Sequence, residues 1–184
     1  MPRVKGERRL EILKALAQML EQPKWGKITT AALAEKLDVS EAALYRHFAS
    51  KAQMYEGLIE FIESSVFSLA NKIAADETDG AKQAAKLLEM LLAFAEKNPG
   101  MVRVMTGDAL VGEHERLQAR INQFYDRFEA TLKQALRTAG DADAATRAAV
   151  MLRYALGCLQ LYAKSGFAKK PAESYAAQRR YLAT

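Results

Sequence analysis

Apolar residues recur at helical spacing along most of the chain and predict an all-α fold. The first stripe, which includes Leu10, Leu13 and Leu20, predicts a helix over about 7–22. Capping residues, Pro and Gly divide the rest into further helices. These helices are predicted over about 29–37, 41–48, 51–75, 81–97, a short segment from Pro99, 113–139, 142–165 and 172–182. About nine helices therefore account for the chain.

Composition agrees with this pattern and narrows the class of protein. Half of the 184 residues are hydrophobic, whereas Gly and Pro contribute only 10 and 4, too few for a turn-rich β fold. No apolar run is long enough to span a membrane, and the N-terminal residues do not form a secretory signal. One cysteine and two distant histidines give no cluster for a metal. We therefore expect a cytoplasmic protein that is not an enzyme and has no metal or cofactor.

Positive charge is concentrated in the first third of the chain. Residues 1–55 contain 10 Lys and Arg against 6 Asp and Glu, which is nearly all of the formal net charge of +5. Such asymmetry is expected where one module meets a polyanion. An ordinary solvated surface with a chance imbalance is the other interpretation. Charge alone leaves both open.

Residues 29–50 have the pattern of a helix-turn-helix. Two short helices flank a tight turn at 38–40, where Asp38 can adopt a left-handed backbone. The second helix would place its outward side chains in a major groove, and neighbouring polar groups would contact phosphates. The candidate DNA-binding residues are Thr29, Thr30, Ser40, Glu41, Ala43, Tyr45, Arg46, His47 and Lys51. An αα corner that only packs remains the alternative for two short helices.

The residue string of this segment resembles the DNA-binding signature of the TetR family. The shared positions are Ile28-Thr29-Thr30, Leu33-Ala34, Leu37, Val39-Ser40, Leu44-Tyr45, His47-Phe48 and Ser50-Lys51. The resemblance implies a three-helix module at 1–51 that binds palindromic double-stranded DNA, and a helical body at 52–184. It also implies a homodimer through the last two helices, for which Leu152, Leu156 and Leu159 are the candidate contacts. Asp38 stands where the family commonly has Gly.

Segments of the body resemble one branch of that family, the nucleoid occlusion factors. They are Leu58-Ile59-Glu60-Phe61-Ile62-Glu63, Glu96-Lys97-Asn98-Pro99-Gly100, Thr106-Gly107, Ala109-Leu110 and Arg116-Leu117-Gln118. This resemblance implies a nucleoid-associated protein whose DNA-bound form, often two dimers per site, binds the C-terminal tail of the division protein FtsZ. The implied groove between the fourth and fifth helices contains Glu60, Phe61, Met90, Ala93, Lys97 and Asn98. Lys97 stands where the resemblance implies an Arg and keeps its positive charge. Leu69 stands where the resemblance implies a second Arg, so that charge is lost.

Two other functions stay open at the level of the sequence. One is a TetR-type repressor that releases DNA when a small molecule enters the body. The other is a helical interaction protein whose helix-turn-helix only packs. Spacing alone also allows Phe61 to belong to the core stripe of its helix and Asn98 to be a helix terminator. Only the resemblance assigns these two residues to a partner groove.

Overall fold

The structure, a computed structural model, describes residues 5–22 and 26–182, and within them every regular element is helical. Pro23 and the basic residue Arg3 lie outside the described residues. The nine α-helices of these described ranges are α1 (Lys5–Leu20), α2 (Thr30–Lys36), α3 (Glu41–Tyr45), α4 (Lys51–Asp76), α5 (Gly80–Lys97), α6 (Pro99–Met105), α7 (Glu115–Thr138), α8 (Ala144–Lys164) and α9 (Pro171–Gln178). The predicted all-α class is confirmed.

The observed helix bounds differ from the predicted ones by a few residues. The second helix of the helix-turn-helix stops at Tyr45 rather than near 48. α7 starts at Glu115 rather than 113 because the His114 side chain accepts a hydrogen bond from the Arg116 N–H at 3.2 Å and caps the helix. The pattern also missed a 3-10 turn over Asp108–Leu110, which follows Gly107 in a left-handed conformation with φ 82°.

Helices α1, α2 and α3 pack around the first part of one continuous core. Ile12, Leu16 and Leu20 of α1 are buried together with Leu33 of α2 and Leu44 of α3. α1 also contacts α4 and α6, so the helix-turn-helix rests on the body. The same core continues without interruption into the remaining helices.

Helix α5 is the centre of the body. It packs against α4, α6, α7, α8 and α9, and its buried residues include Leu87, Leu88, Leu91 and Leu92. Two ion pairs join α4 to α7: Arg116 Nε lies 2.6 Å from Glu56 Oε1, and Arg120 Nη2 lies 2.7 Å from Glu63 Oε2. No helix in the described ranges is both long and apolar enough to cross a membrane.

Arg103 of α6 connects the end of α1 to the body. Its guanidinium donates hydrogen bonds to the carbonyls of Leu20 at 2.8 Å and Gln22 at 3.3 Å, and it lies 4.7 Å from the centre of the Phe167 ring. These bonds satisfy carbonyls that the end of α1 leaves without helical partners. Burial lowers the pKa of Arg103, although an arginine remains charged at any physiological pH.

Candidate nucleic-acid and partner interfaces

Side-chain caps fix the backbone of the helix-turn-helix. The Thr29 hydroxyl accepts a hydrogen bond from Ala32 N–H at 3.1 Å, and the Ser40 hydroxyl accepts one from Ala43 N–H at 3.3 Å. Ser50 caps α4 in the same way, through Gln53 N–H at 3.2 Å. Each cap satisfies a donor that the first turn of a helix leaves free. The two predicted phosphate contacts Thr29 and Ser40 therefore also hold the helices in place.

The outward face of α3 carries most of the predicted DNA-binding residues. Glu41, Tyr45 and Arg46 are exposed, whereas Ala43 is half-buried. Thr30 Oγ1 donates a hydrogen bond to Glu41 Oε2 at 2.5 Å, and Tyr45 Oη donates one to Thr30 Oγ1 at 3.5 Å. These bonds bring together side chains of α2 and α3 on a single surface, as a helix that enters a major groove requires.

His47 is placed differently from the rest of this set. It is half-buried, and its Nδ1 atom is buried without a hydrogen-bond partner among the described residues. Its backbone carbonyl accepts a hydrogen bond from Arg9 Nη1 at 2.5 Å, while the Arg9 guanidinium lies 4.1 Å from the centre of the Phe48 ring. Sequence reasoning missed this contact of Arg9. The position of one cation along α1 does not indicate which other segment it meets in the folded chain.

Lys51, the last predicted phosphate contact, pairs with a carboxylate of the body. Its ammonium group forms an ion pair with Glu113, which lies between the 3-10 turn and α7. The same ammonium lies 5.7 Å from the centre of the Tyr55 ring. Burial, and to a smaller extent the negative charge of Glu113, raises the pKa of Tyr55. Sequence reasoning missed Glu113, which is 62 positions from its partner.

The predicted partner residues lie along α4, α5 and the start of α6, and Phe61 is the exposed aromatic among them. Its exposed fraction is 39%, although α4 buries most of its other large apolar residues. Phe61 and Asn98 line one cavity of about 240 Å³ with Leu10 and Met101. Leu10, which belongs to the apolar stripe of α1, is also exposed here.

The rest of the predicted groove follows the line between α4 and α5. Met90 lines a second cavity of about 210 Å³ with Leu69 and Ile73. Ala93 is half-buried, whereas Glu60 and Lys97 are exposed and line neither cavity. The structure thus separates Phe61 and Asn98 from Met90. Asn98 also has a structural role, since its Nδ2 donates a hydrogen bond to the Phe94 carbonyl at 2.7 Å.

The predicted dimer contacts on α8 differ in how far the single chain leaves them exposed. Leu152 and Leu159 are buried in the core of the single chain, and only Leu156 is half-buried. The inward face of α8 packs against α5, α6 and α7, so these two leucines are already covered within one subunit. The exposed large apolar residues of α8 are instead Val150 and Leu161.

Metal binding and thiol chemistry have little support in the described part of the chain. No group of three His, Cys, Asp or Glu side chains there could hold a metal ion. Cys158 is half-buried, and burial raises the pKa of its thiol, which disfavours the reactive thiolate.

Comparison with known proteins matches both parts of the chain. A family model described as "Bacterial regulatory proteins, tetR family" matches residues 12–58, and the SlmA-like model "Tetracyclin repressor-like, C-terminal domain" matches 79–184. In fold, the chain resembles the TetR family regulator PfmR from Thermus thermophilus, with a TM-score of 0.77 and 19% identity over 93% of this chain and 96% of that one. A TetR-like regulator from Rhodococcus sp. RHA1 gives a TM-score of 0.78 and 17% identity over 100% and 96%.

Closer relatives are curated proteins with one shared name. The "Nucleoid occlusion factor SlmA" of Alteromonas mediterranea is 50% identical over 183 residues, covering 95% of this chain and 94% of the relative. That of Idiomarina loihiensis is 46% identical over 185 residues, covering 97% and 94%. These likenesses identify a DNA-binding regulator rather than an enzyme. The chain belongs to the SlmA family of nucleoid occlusion factors, within the TetR-type helix-turn-helix proteins.

Proposed function

We propose that this protein binds palindromic chromosomal DNA as a homodimer and, when bound, captures the C-terminal tail of FtsZ and antagonises assembly of the division ring over the nucleoid. The α3 surface reads the DNA, and the groove along α4 and α5 takes the tail. This function combines the family relationship with the geometry of the two surfaces.

The DNA step rests on the capped helix-turn-helix. Thr30, Glu41 and Tyr45 form a hydrogen-bonded set on the exposed side of α2 and α3. A carboxylate such as that of Glu41 can accept a hydrogen bond from the amino group of cytosine, and hydroxyls can contact phosphates. Arg46 adds a flexible cation at the end of α3. This face therefore has donors and acceptors for both base edges and the backbone.

The exposure of Phe61 beside Asn98 is the observation that carries the partner step. An aromatic ring at the edge of an apolar cavity is a common anchor in protein recognition, because it buries a large area with little loss of side-chain entropy. Two cations stand at this end of the groove: Lys14 lines the same cavity, together with Glu21, and Lys97 is exposed at the end of α5. The groove thus suits an extended peptide that has both apolar and acidic side chains.

Binding of a fluorescent FtsZ C-terminal tail peptide, measured by anisotropy with and without a palindromic duplex, tests this proposal. We expect the wild-type chain to bind the peptide when DNA is present. Phe61→Ala should weaken that binding by about 10-fold or more, as for other aromatic anchors, and leave DNA affinity unchanged. Tyr181→Ala is the matched control, because it removes an exposed aromatic ring far along the chain from α4.

Two results would contradict the partner step. Equal peptide binding by Phe61→Ala and Tyr181→Ala would exclude the Phe61 end of the groove as the tail site. Absence of peptide binding by the wild-type chain, with DNA binding intact, would favour the ligand-responsive repressor instead.

A further inference from the structure

Lys51 stands where the DNA-binding module joins the body. It is the first residue of α4 and directly follows the Ser50 cap, next to the helix-turn-helix. Its ion pair with Glu113 is well shielded, since only 20% of the Lys51 side chain and 11% of the Glu113 side chain is exposed. This cation beside the helix-turn-helix is therefore neutralised by a residue of the body.

The surroundings of this ion pair allow it to open. Glu113 and Tyr55 line a cavity of about 220 Å³ together with Lys27 and Asp108. Water beside the charged side chains of this cavity can solvate the carboxylate after the ammonium leaves. Without that water, breaking the pair would leave a charge stranded in the interior at a steep cost in free energy. The cavity makes exchange of partners feasible.

From this geometry we infer that the Glu113 carboxylate competes with the DNA backbone for the Lys51 ammonium, so that the body limits the strength of DNA binding. An ammonium has three donors, but the Lys51 side chain is only 20% exposed where it meets Glu113, so its ammonium must move away from that carboxylate to reach a phosphate. Each DNA complex that uses Lys51 must therefore break the contact with Glu113, and the cost is subtracted from the binding free energy. The inference rests on DNA binding by the helix-turn-helix and on the proposed phosphate contact of Lys51.

The competition between Glu113 and DNA for Lys51 also couples DNA binding to the conformation of the body. The Glu113 N–H donates a hydrogen bond to the Leu110 carbonyl at the end of the 3-10 turn, and α7 begins two residues after Glu113. DNA that takes Lys51 releases the ion pair that joins this segment to the first turn of α4. By linkage, anything that holds Glu113 on Lys51 weakens DNA binding, and DNA in turn opens this contact.

Removal of the charge at Glu113 tests the inference. The Glu113→Gln variant should bind a short mixed-sequence duplex about three- to ten-fold more tightly than Glu115→Gln, because phosphate contacts act on any sequence. Glu115→Gln is the matched control: it removes the same charge two positions away from an exposed side chain. The slope of log affinity against log salt should stay the same in both variants, because Lys51 contacts the same phosphate and only the cost of breaking the ion pair is removed.

A Lys51→Met background separates competition from a general effect of charge. The difference between Glu113→Gln and Glu115→Gln should disappear there, because the ammonium that both anions share is gone. Equal affinities of the two glutamine variants in the wild-type background would overturn the inference. Weaker binding by Glu113→Gln would overturn it as well, since Glu113 would then orient Lys51 for the phosphate.

Thermal unfolding of each variant controls for loss of fold. Where Glu113→Gln melts early, Glu113→Asp replaces it: the charge stays, but the side chain is one methylene shorter. Because the shorter side chain weakens the contact with Lys51 while the charge remains, that variant should bind DNA more tightly than the wild-type chain by a smaller factor than Glu113→Gln, and unchanged binding would contradict the inference. Failure of the wild-type chain to bind any duplex would instead contradict the DNA-binding function itself.

Discussion

At the scale of single residues, the hydroxyl groups of the helix-turn-helix have two tasks that the sequence alone cannot separate. Ser40 lies where both a helix cap and a phosphate contact are possible. Its hydroxyl accepts the Ala43 N–H, and the helix that it caps has only five residues. A helix this short depends strongly on its caps, because nucleation fixes several residues for few hydrogen bonds.

Substitution of Ser40 separates the two tasks. Ser40→Ala should lower the free energy of unfolding by about 1 kcal/mol, whereas Ser40→Gly should cost only a few tenths, because glycine is tolerated at a helix N-cap. Urea unfolding measures both values. If capping is the main task, DNA affinity should fall more in the alanine variant than in the glycine variant. Equal loss of affinity in both would show that the hydroxyl itself contacts the DNA.

Residue-level predictions succeeded where the cause was local. Asp38 has φ 52°, the left-handed conformation that the turn requires and that an aspartate tolerates. The helix caps at Thr29, Ser40 and Ser50 can likewise be predicted from the sequence, because each hydroxyl accepts a hydrogen bond from a backbone N–H only three residues away. The ion pair of Lys51 with Glu113 cannot be predicted in this way, since it depends on how α4 and the segment before α7 meet in space. Local chemistry is encoded in short strings, whereas distant pairs are set by packing.

At the scale of elements, the close approach of α6 to α1 joins the partner groove to the DNA-binding module. α6 starts beside Asn98 and carries Arg103, which binds the carbonyls at the end of α1. Between them is Gly100, where an added Cβ atom would lie 2.0 Å from the Ala17 carbonyl oxygen. Only glycine allows this distance, because any other side chain would separate the two helices.

Gly100→Ala should therefore destabilise the protein strongly. We expect a loss of about 2–3 kcal/mol in the free energy of unfolding, since a backbone atom rather than a flexible side chain must move. Gly57→Ala is the matched control: its Cβ would meet the ends of the Leu13 side chain at 3.0 Å, and these can rotate away. Denaturant unfolding compares the two variants. A loss in Gly100→Ala no larger than in Gly57→Ala would contradict the proposed constraint.

At the level of elements, the apolar pattern of α8 could not show which of its residues remain exposed for a second subunit. Periodicity identified α8 and its apolar stripe, but it could not say which side of the stripe the body covers. Leu152 and Leu159 lie on the covered side, while Val150 and Leu161 lie on the free side. The same ambiguity applies to Leu10, which shares the helical spacing of the buried α1 residues but has an exposed side chain beside Phe61. An amphipathic pattern gives a direction only after the neighbouring helices are known.

At the scale of the whole molecule, the proposed function needs two recognition helices at a fixed separation. A two-fold dimer places them about one DNA turn apart, as a palindromic site requires. Among the described helices, α8 offers a free face for this purpose. It includes Val150, Gly157 and Leu161, the last with 54% of its surface exposed. A Cβ atom added at Gly157 would meet nothing within 4 Å in the chain itself.

That empty space makes Gly157 a direct probe of the dimer. Gly157→Leu improves helix propensity and causes no clash at Cβ within one chain, so helical content by circular dichroism should be retained. A second copy packed closely on this face would be displaced by the larger side chain. We therefore expect monomers in sedimentation equilibrium and weaker binding to a palindromic duplex, because the two half-sites are no longer held by one molecule. Gln123→Leu on the exposed face of α7 controls for an added surface leucine. A Gly157→Leu variant that stays dimeric at wild-type affinity would move the subunit contact away from this face of α8.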